Sequence, residues 1–252
     1  MTPLTGVFTA RPLAHRGLHD RARGIIENSP SAFEAAIAAG YGIELDVQLS
    51  ADRQPMVFHD YDMARLTGQK GPIQTRSAET VRAMTLSGSD DQILDLGDVL
   101  KLIGGRVPVL IEVKDQDGAM GPNIGPLEDA VAQQLRDYAG EAAVMSFNPY
   151  SAAYMAKALP DRAAGLVTSA FKYKDWAPLS HAICDRLRDI PDFDPGMFSF
   201  ISHEAPDLDR PRVAELRDHG ATILCWTIKS QAQADAALKI AHNITFEGFA
   251  PA

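Results

Sequence analysis

Hydrophobic residues follow two spacings that alternate along the chain. Short aliphatic, β-branched runs recur eight times, and segments with apolar residues at helical spacing lie between them. Parallel strands joined by right-handed helical crossovers produce this alternation. We predict strands at 12–15, 42–49, 107–113, 142–146, 165–168, 197–201, 221–227 and 243–246, and helices at 31–40, 96–103, 127–138, 149–159, 208–219 and 231–241.

Eight strands with intervening helices predict an α/β fold, a single (β/α)8 TIM barrel that spans residues 1–252 as one domain. An open doubly wound sheet is the structural alternative, because strand number is hard to read from one sequence. Segment 51–85 does not fit a minimal strand–helix repeat, since it contains a short strand at 55–59 and a loop rich in Gly, Gln and Thr. We expect it to be a small insertion over the site. Segment 171–195 carries no clear pattern.

Composition limits the classes of partner. A net charge of −9 and a pI near 5.2 argue against binding nucleic acid or anionic lipid by bulk attraction, so an anionic substrate needs a local positive site. Cys184 and Cys225 have no CxxC partner, which favours buried free thiols. No secretory signal pattern and no apolar run of about 20 residues is evident, which favours a cytoplasmic enzyme without an integral membrane segment. Nothing indicates the oligomeric state.

Two strands carry paired charged residues. Glu44 and Asp46 stand two apart in an apolar strand, so both carboxylates share a face and can reach one cation. Glu112 and Lys114 repeat this spacing at the end of another strand, where barrel enzymes build their sites, and suit a metal beside a phosphate oxygen. The alternative for the second pair is a salt bridge on one face.

Two histidines also follow strand ends. His15 precedes Arg16, and His59 ends the short strand of segment 51–85. Histidine exchanges a proton near neutral pH, and Arg offers a fork for phosphate oxygens. Each motif alone also fits a structural histidine or a surface ion pair.

Taken in order, these motifs resemble the amino-terminal signature of the glycerophosphodiester phosphodiesterase family. The resemblance is dense over residues 13–60 and looser through Ile111-Glu112-Val113-Lys114, Ser146-Phe147 and Trp226-Thr227. Its dense part consists of Ala14-His15-Arg16-Gly17, Glu27-Asn28-Ser29, Ala32-Phe33, Gly42-Ile43-Glu44-Leu45-Asp46-Val47 and Val57-Phe58-His59-Asp60.

The resemblance implies a TIM barrel in which Glu44, Asp46 and Glu112 bind a divalent cation. It implies that His15 and His59 are the acid/base pair, and that Arg16 and Lys114 hold the phosphate. It further implies a polar pair at the site's edge, Glu27 and Asn28, and a wall facing the glycerol, Phe147 and Trp226.

The chain departs from the family pattern near its end. Where the family often has Trp-Thr-Val-Asn and Thr-Asp before a Pro, this chain has Trp226-Thr227-Ile228-Lys229 and Thr245-Phe246-Glu247-Gly248. Where the family often has Pro-Glu-Asn-Thr, it has Ile26-Glu27-Asn28-Ser29. We expect these changes to spare the catalytic centre and to affect the specificity for the alcohol.

Charge neutralisation is the main task in cleaving a phosphodiester. One acid or base supplies about 10² to 10⁴ in rate, so two histidines alone are insufficient. A cation on three carboxylates supplies much of the rest, and these ligands favour Mg²⁺ or Ca²⁺, with Mn²⁺ also fitting.

We therefore expect metal-dependent hydrolysis of a small glycerophosphodiester to sn-glycerol 3-phosphate and an alcohol, an activity of glycerol and lipid metabolism. One histidine would deprotonate the attacking oxygen, from water or from the substrate's own hydroxyl through a cyclic phosphate, and the other would protonate the leaving alcohol. The alternatives are a barrel phosphodiesterase acting on lysophospholipids or phosphoinositol head groups, which predicts an apolar trough near the barrel mouth, and a non-catalytic protein that binds phosphodiesters.

Overall fold

The strands close into a parallel barrel. A computed structural model describes residues 1–251, and in it each of eight strands pairs in parallel with its neighbours, β1 pairing with both β2 and β9. A ninth strand, β3, pairs antiparallel with β2 outside the barrel. The closed order confirms the predicted TIM barrel over an open sheet. The strands are β1 (Leu13–His15), β2 (Gly42–Leu49), β3 (Pro55–Val57), β4 (Val109–Val113), β5 (Ala142–Ser146), β6 (Ala163–Thr168), β7 (Phe200–Glu204), β8 (Thr222–Ile228) and β9 (Asn243–Phe246).

Most of the longer helices pack against the outside of the barrel. In α2 the hydroxyl of Ser29 accepts from the backbone N–H of Ala32 at 3.2 Å, Pro30 occupies the first turn, and Gly40 ends the helix with a φ of 72°. These are the capping residues that the sequence predicts. The helices are α1 (Val7–Ala10), α2 (Pro30–Ala39), α3 (Ala64–Thr67), α4 (Ala78–Arg82), α5 (Leu96–Ile103), α6 (Pro126–Arg136), α7 (Pro149–Ala158), α8 (His181–Arg188), α9 (Pro211–Asp218) and α10 (Gln231–Ala237), with short 3-10 turns at Arg21–Arg23, Ile73–Thr75 and Ala205–Asp207.

Strand alternation divides the core into two layers. Ile43, Leu45 and Val47 of β2 face outward and belong to the large cluster between barrel and helices. A second cluster, which includes Leu110 and Phe200, fills the barrel interior together with Phe8 of α1. Because apolar side chains fill that interior, the polar residues at the carboxyl ends of the strands line an open rim.

The segment between β2 and α5 has a hydrophobic cluster of its own. Met56, Phe58, Leu66 and Val81 are among its buried members, and the helices α3 and α4 lie in this segment. The strand predicted at 55–59 ends at Val57. The single domain with an insertion over 51–85 stays a prediction.

Several predicted boundaries are wrong. The strand predicted at 197–201 is displaced to Phe200–Glu204, because the N–H groups of Met197 and Phe198 are used in a turn that bonds the carbonyl of Asp194. The helix predicted at 208–219 begins at Pro211, since the preceding residues form a 3-10 turn. The helix predicted at 231–241 ends at Ala237.

The bounds of the other predicted helices and strands lie within two residues of those observed, and the structure adds elements that the sequence does not predict. Segment 171–195 contains α8, which the sequence did not reveal. Cys184 and Cys225 are buried free thiols, as predicted. Within residues 1–251, every helix is too short or too polar to cross a bilayer.

Candidate active site

Three carboxylates converge on the barrel axis. In the register of β2 and β4, Asp46 stands beside Glu112, and Glu44 lies two residues before Asp46 on the same face. Each of the three residues offers a carboxylate oxygen within 4.8 Å of the others, and all three are buried. Short strand separation and a two-residue period make this convergence a direct result of the barrel.

The charges around this acidic triad are unevenly distributed. Lys114 Nζ lies 2.8 Å from Glu112 and 3.7 Å from Asp46, while Arg16 Nε lies 3.4 Å from Asp46. Burial alone would raise the pKa of Asp46, but the charges of His59, Lys114 and Arg16 hold it below its usual range. Burial likewise opposes the charge of Lys114, yet Glu112 and Asp46 raise its pKa.

Glu44 is the carboxylate of the triad whose negative charge is least compensated. Its closest donor is the backbone N–H of Arg16, at 3.0 Å. Burial, followed by the charges of Asp46 and Glu112, raises the pKa of Glu44 well above the usual value. A divalent cation among the three oxygens would relieve this repulsion, so the donor set fits a hard metal ion.

Arg16 and Asn28 are held next to the triad by unusual backbone geometry. Both have a φ of 55°, in the left-handed region that few side chains adopt. The N–H of Asn28 donates to the carbonyl of Arg16 at 2.8 Å, and the side-chain amide of Asn28 donates to Asp46 at 3.0 Å. Gly17 is required here, because a Cβ at this position would lie 2.9 Å from Ala32.

Glu27 links Arg16 to a second arginine, Arg65. It accepts from Arg16 at 2.6 Å and from Arg65 at 2.7 and 2.8 Å. Burial opposes ionisation, but these two arginines lower the pKa of Glu27 to about 2. Arg65 also donates to Asp60 at 2.6 Å.

Both histidines lie at the same cavity, and each contacts a carboxylate through Nδ1. His15 Nδ1 is 2.6 Å from Glu247, and His59 Nδ1 is 2.8 Å from Asp60. Burial lowers the pKa of His15. The partner of His59, Asp60, is the next residue in the sequence. The partner of His15, Glu247, is distant in the sequence, which did not indicate this contact.

The cavity between the histidines measures about 90 Å³. Its walls include Phe147 and Trp226, whose rings meet edge to face at 5.5 Å. Ser202 and Thr245 also line it, and within residues 1–251 their buried hydroxyls have no hydrogen-bond partner. Sequence reasoning missed both, because a lone Ser or Thr in a strand carries no signal of its own.

A larger groove of about 660 Å³ opens beside the cavity. His59, Lys114, Phe147 and Trp226 line both spaces, and Trp176 belongs to the groove alone, with its ring 4.8 Å from that of Phe147. Apolar residues 176–179 form much of one wall. Asp115, Asp117 and Asp175 also line the groove, so it matches only in part the apolar trough that the lysophospholipid alternative predicts.

All eleven predicted site residues therefore lie at one rim of the barrel. The triad, the histidines, Arg16 and Lys114 meet around the cavity, Glu27 and Asn28 lie at its edge, and Phe147 and Trp226 are in its wall. Their catalytic and binding roles stay predictions.

Comparison with known proteins gives a consistent result. Residues 15–244 match the Glycerophosphoryl diester phosphodiesterase family. A glycerophosphodiester phosphodiesterase from Caldanaerobacter subterraneus is 29% identical over 65% of this chain and 69% of its own length, and one from Bacillus altitudinis is 31% identical over 58% and 62%.

Solved structures share the fold. A phosphodiesterase from Oleispira antarctica, in complex with the product sn-glycerol-3-phosphate, superposes with a TM-score of 0.73 at 22% identity, covering 94% of this chain and 92% of its own. A glycerophosphodiester phosphodiesterase from Thermotoga maritima superposes with a TM-score of 0.66 at 19% identity, covering 93% and 92%.

Proposed function

Because the chain belongs to the glycerophosphoryl diester phosphodiesterase family and is thus a phosphodiester hydrolase, we propose that it cleaves glycerophosphodiesters to sn-glycerol 3-phosphate and an alcohol. One observation carries the proposal: three buried carboxylates, two cationic side chains and two histidines surround a single cavity. A neighbour that binds sn-glycerol-3-phosphate on the same fold supports the identity of the product.

Glu44, Asp46 and Glu112 would hold the divalent cation, Mg²⁺ or Ca²⁺, with Mn²⁺ as a further option. When bound, that cation neutralises charge on the phosphate and acts as a Lewis acid. Arg16 and Lys114 flank the triad and would orient the phosphate oxygens. With a divalent cation bound, the ion, Arg16 and Lys114 together would outweigh the three carboxylates and give this acidic protein a locally positive site.

We assign different proton transfers to the two histidines from the spaces that they line. His15 lines the cavity of about 90 Å³ and not the larger groove. Ser202 and Thr245 also line this cavity, and their hydroxyls, which have no partner within residues 1–251, suit the glycerol moiety. His59 lines both this cavity and the larger groove, called the outer groove below, where a head group has room. His15 would therefore deprotonate the attacking oxygen, and His59 would protonate the departing alcohol.

Alanine variants test this assignment. His59→Ala should lose turnover of glycerophosphocholine, but keep most of it on a nitrophenyl ester of glycerol phosphate, whose leaving group needs no proton. His15→Ala should lose both. Equal loss of His59→Ala on the two substrates, with an unchanged melting temperature, would reject the assignment.

A chelator tests the function itself. Purified protein should release sn-glycerol 3-phosphate from glycerophosphocholine when Mg²⁺ or Ca²⁺ is added and not in excess EDTA. Binding of the substrate without turnover in every metal tested would favour the non-catalytic alternative. Full turnover in EDTA would refute the role of the triad.

The outer groove supports a second candidate, cleavage of lysophospholipids. Trp176 and its apolar neighbours offer a surface for an acyl chain beside the catalytic cavity. Comparing kcat/KM for glycerophosphocholine with that for a lysolipid in detergent separates the two. A higher value for the lysolipid would make it the preferred substrate.

A further inference from the structure

Two departures from the family pattern meet at His15. Glu247 Oε2 lies 2.6 Å from His15 Nδ1, and Glu247 Oε1 lies 2.7 Å from Lys229 Nζ. In the parallel register of β1 and β9, Leu13 pairs with Thr245, so His15 and Glu247, each two residues further along, come next to each other. This pairing brings Glu247 beside His15 on the barrel-facing side.

We propose that Glu247 is a positioning residue for His15. A carboxylate next to Nδ1 accepts a hydrogen bond from Nδ1–H, so the proton of the neutral ring stays on Nδ1 and Nε2 carries the free lone pair. Nε2 lies 4.0 Å from Glu44, on the side of the acidic triad. The proposal rests on the proposed function, because a general base at Nε2 is what this tautomer provides.

The other histidine has the same arrangement. His59 Nδ1 contacts Asp60, and Asp60 accepts from Arg65 at 2.6 and 2.8 Å. Each imidazole therefore has a carboxylate behind it and a cation behind the carboxylate. The recurrence around both histidines is difficult to explain as two unrelated salt bridges.

Burial distinguishes the two links of this chain of contacts. The side chains of His15 and Glu247 are 14% and 21% exposed, so their hydrogen bond is largely protected from solvent. The side chain of Lys229 is 63% exposed, and exposed ion pairs contribute little. Glu247 Oε2 also lies 3.8 Å from His19 Nε2. Loss of Glu247 should therefore matter much more than loss of Lys229.

Steady-state kinetics with glycerophosphocholine and added metal tests the proposal. We expect Glu247→Ala to lower kcat about 100-fold and Glu247→Gln about 10-fold, because Gln retains an oxygen acceptor without the charge. Lys229→Met should lower kcat only about 2-fold. KM should stay within about 3-fold in all three. The matched control is Glu34→Gln, which breaks a remote ion pair with Arg106 and should leave both constants unchanged.

A spectroscopic readout does not depend on turnover. The ¹⁵N shifts of His15 in metal-free protein above pH 8 should report Nδ1–H in the wild type and a mixture of tautomers in Glu247→Ala. Unchanged shifts in that variant, or wild-type kcat, would overturn the proposal. A rise in KM at constant kcat would also overturn it, by assigning Glu247 to substrate binding.

The two proposals fail in different ways. If the wild type turns over no glycerophosphodiester, the proposed function fails, while the ¹⁵N shifts still decide whether Glu247 positions His15. If the melting temperature of Glu247→Ala lies below the assay temperature, the kinetic test relies on Glu247→Gln, which keeps the size of the side chain.

Discussion

Glu44→Gln should stabilise the metal-free protein while abolishing its activity. The oxygen of Gln can still accept from the backbone N–H of Arg16, which donates to Glu44 at 3.0 Å. The substitution removes one negative charge from a buried site that contains three. Carboxylates that gather to bind a metal repel one another and commonly destabilise the fold when the metal is absent.

Coulomb's law sets the magnitude. Carboxylate oxygens within 4.8 Å of one another repel by about 3 kcal/mol per pair at an effective dielectric of about 20. Lys114 and Arg16 compensate two of the three charges. One uncompensated charge leaves about 3 kcal/mol to be gained, which is roughly 6 to 12 °C in Tm for a protein of this size.

The gain should depend on pH in a defined direction. The pKa of Glu44 is raised above its unfolded value of 4.5, so the wild type loses stability as pH rises from 4.5 towards the folded pKa. The advantage of Glu44→Gln should therefore be absent at pH 4, grow above pH 4.5 and be complete at higher pH. Urea unfolding in EDTA at several pH values measures it.

Glu112→Gln is the matched control, because it makes the same chemical change in the same cluster. Glu112 lies 2.8 Å from Lys114, so its loss leaves the buried ammonium facing the more distant carboxylate of Asp46, at 3.7 Å. That variant should be less stable than the wild type. Added Mg²⁺ or Ca²⁺ should raise the Tm of the wild type and of neither variant. The reasoning is refuted if Glu44→Gln at pH 8 in EDTA is no more stable than the wild type.

Three further variants test other parts of the structure. The pKa of Glu27 is about 2, against 4.5 for a free carboxyl, so the wild type should be more stable than Glu27→Gln by about 2 kcal/mol above pH 4.5. Urea unfolding should show this difference disappear as pH falls through about 2. Gly165→Ala should lower the free energy of unfolding by about 3 kcal/mol in the same assay, since its Cβ would lie 2.5 Å from the carbonyl oxygen of Phe200. Gly6→Ala, whose Cβ would have nothing within 4 Å, should change it by no more than about 0.5 kcal/mol. Trp176→Ala should raise the KM for a lysolipid about 10-fold by removing ring surface from the outer groove, and an unchanged KM would exclude an acyl chain there.

Local chemistry in the sequence determined most of the barrel and much of its rim. The two-residue spacing of Glu44 and Asp46 within an apolar strand requires both carboxylates to share a face, whatever surrounds them. Likewise Ser29, Pro30 and Gly40 specify the limits of α2 through capping, which needs only near neighbours. The strand at 197–201 was misplaced because a turn at Asp194 consumed its first donors, and no periodicity reveals that.

Only the tertiary structure decided what each histidine contacts. Asp60 follows His59 directly, but Glu247 is separated from His15 by 232 residues and reaches it through the pairing of the last strand with the first. The same closure places the hydroxyls of Ser202 and Thr245 in one cavity and Trp176 beside it. Side-chain spacing is a property of one strand and can be read from the sequence, whereas the register between distant strands arises from barrel closure and packing of the whole chain.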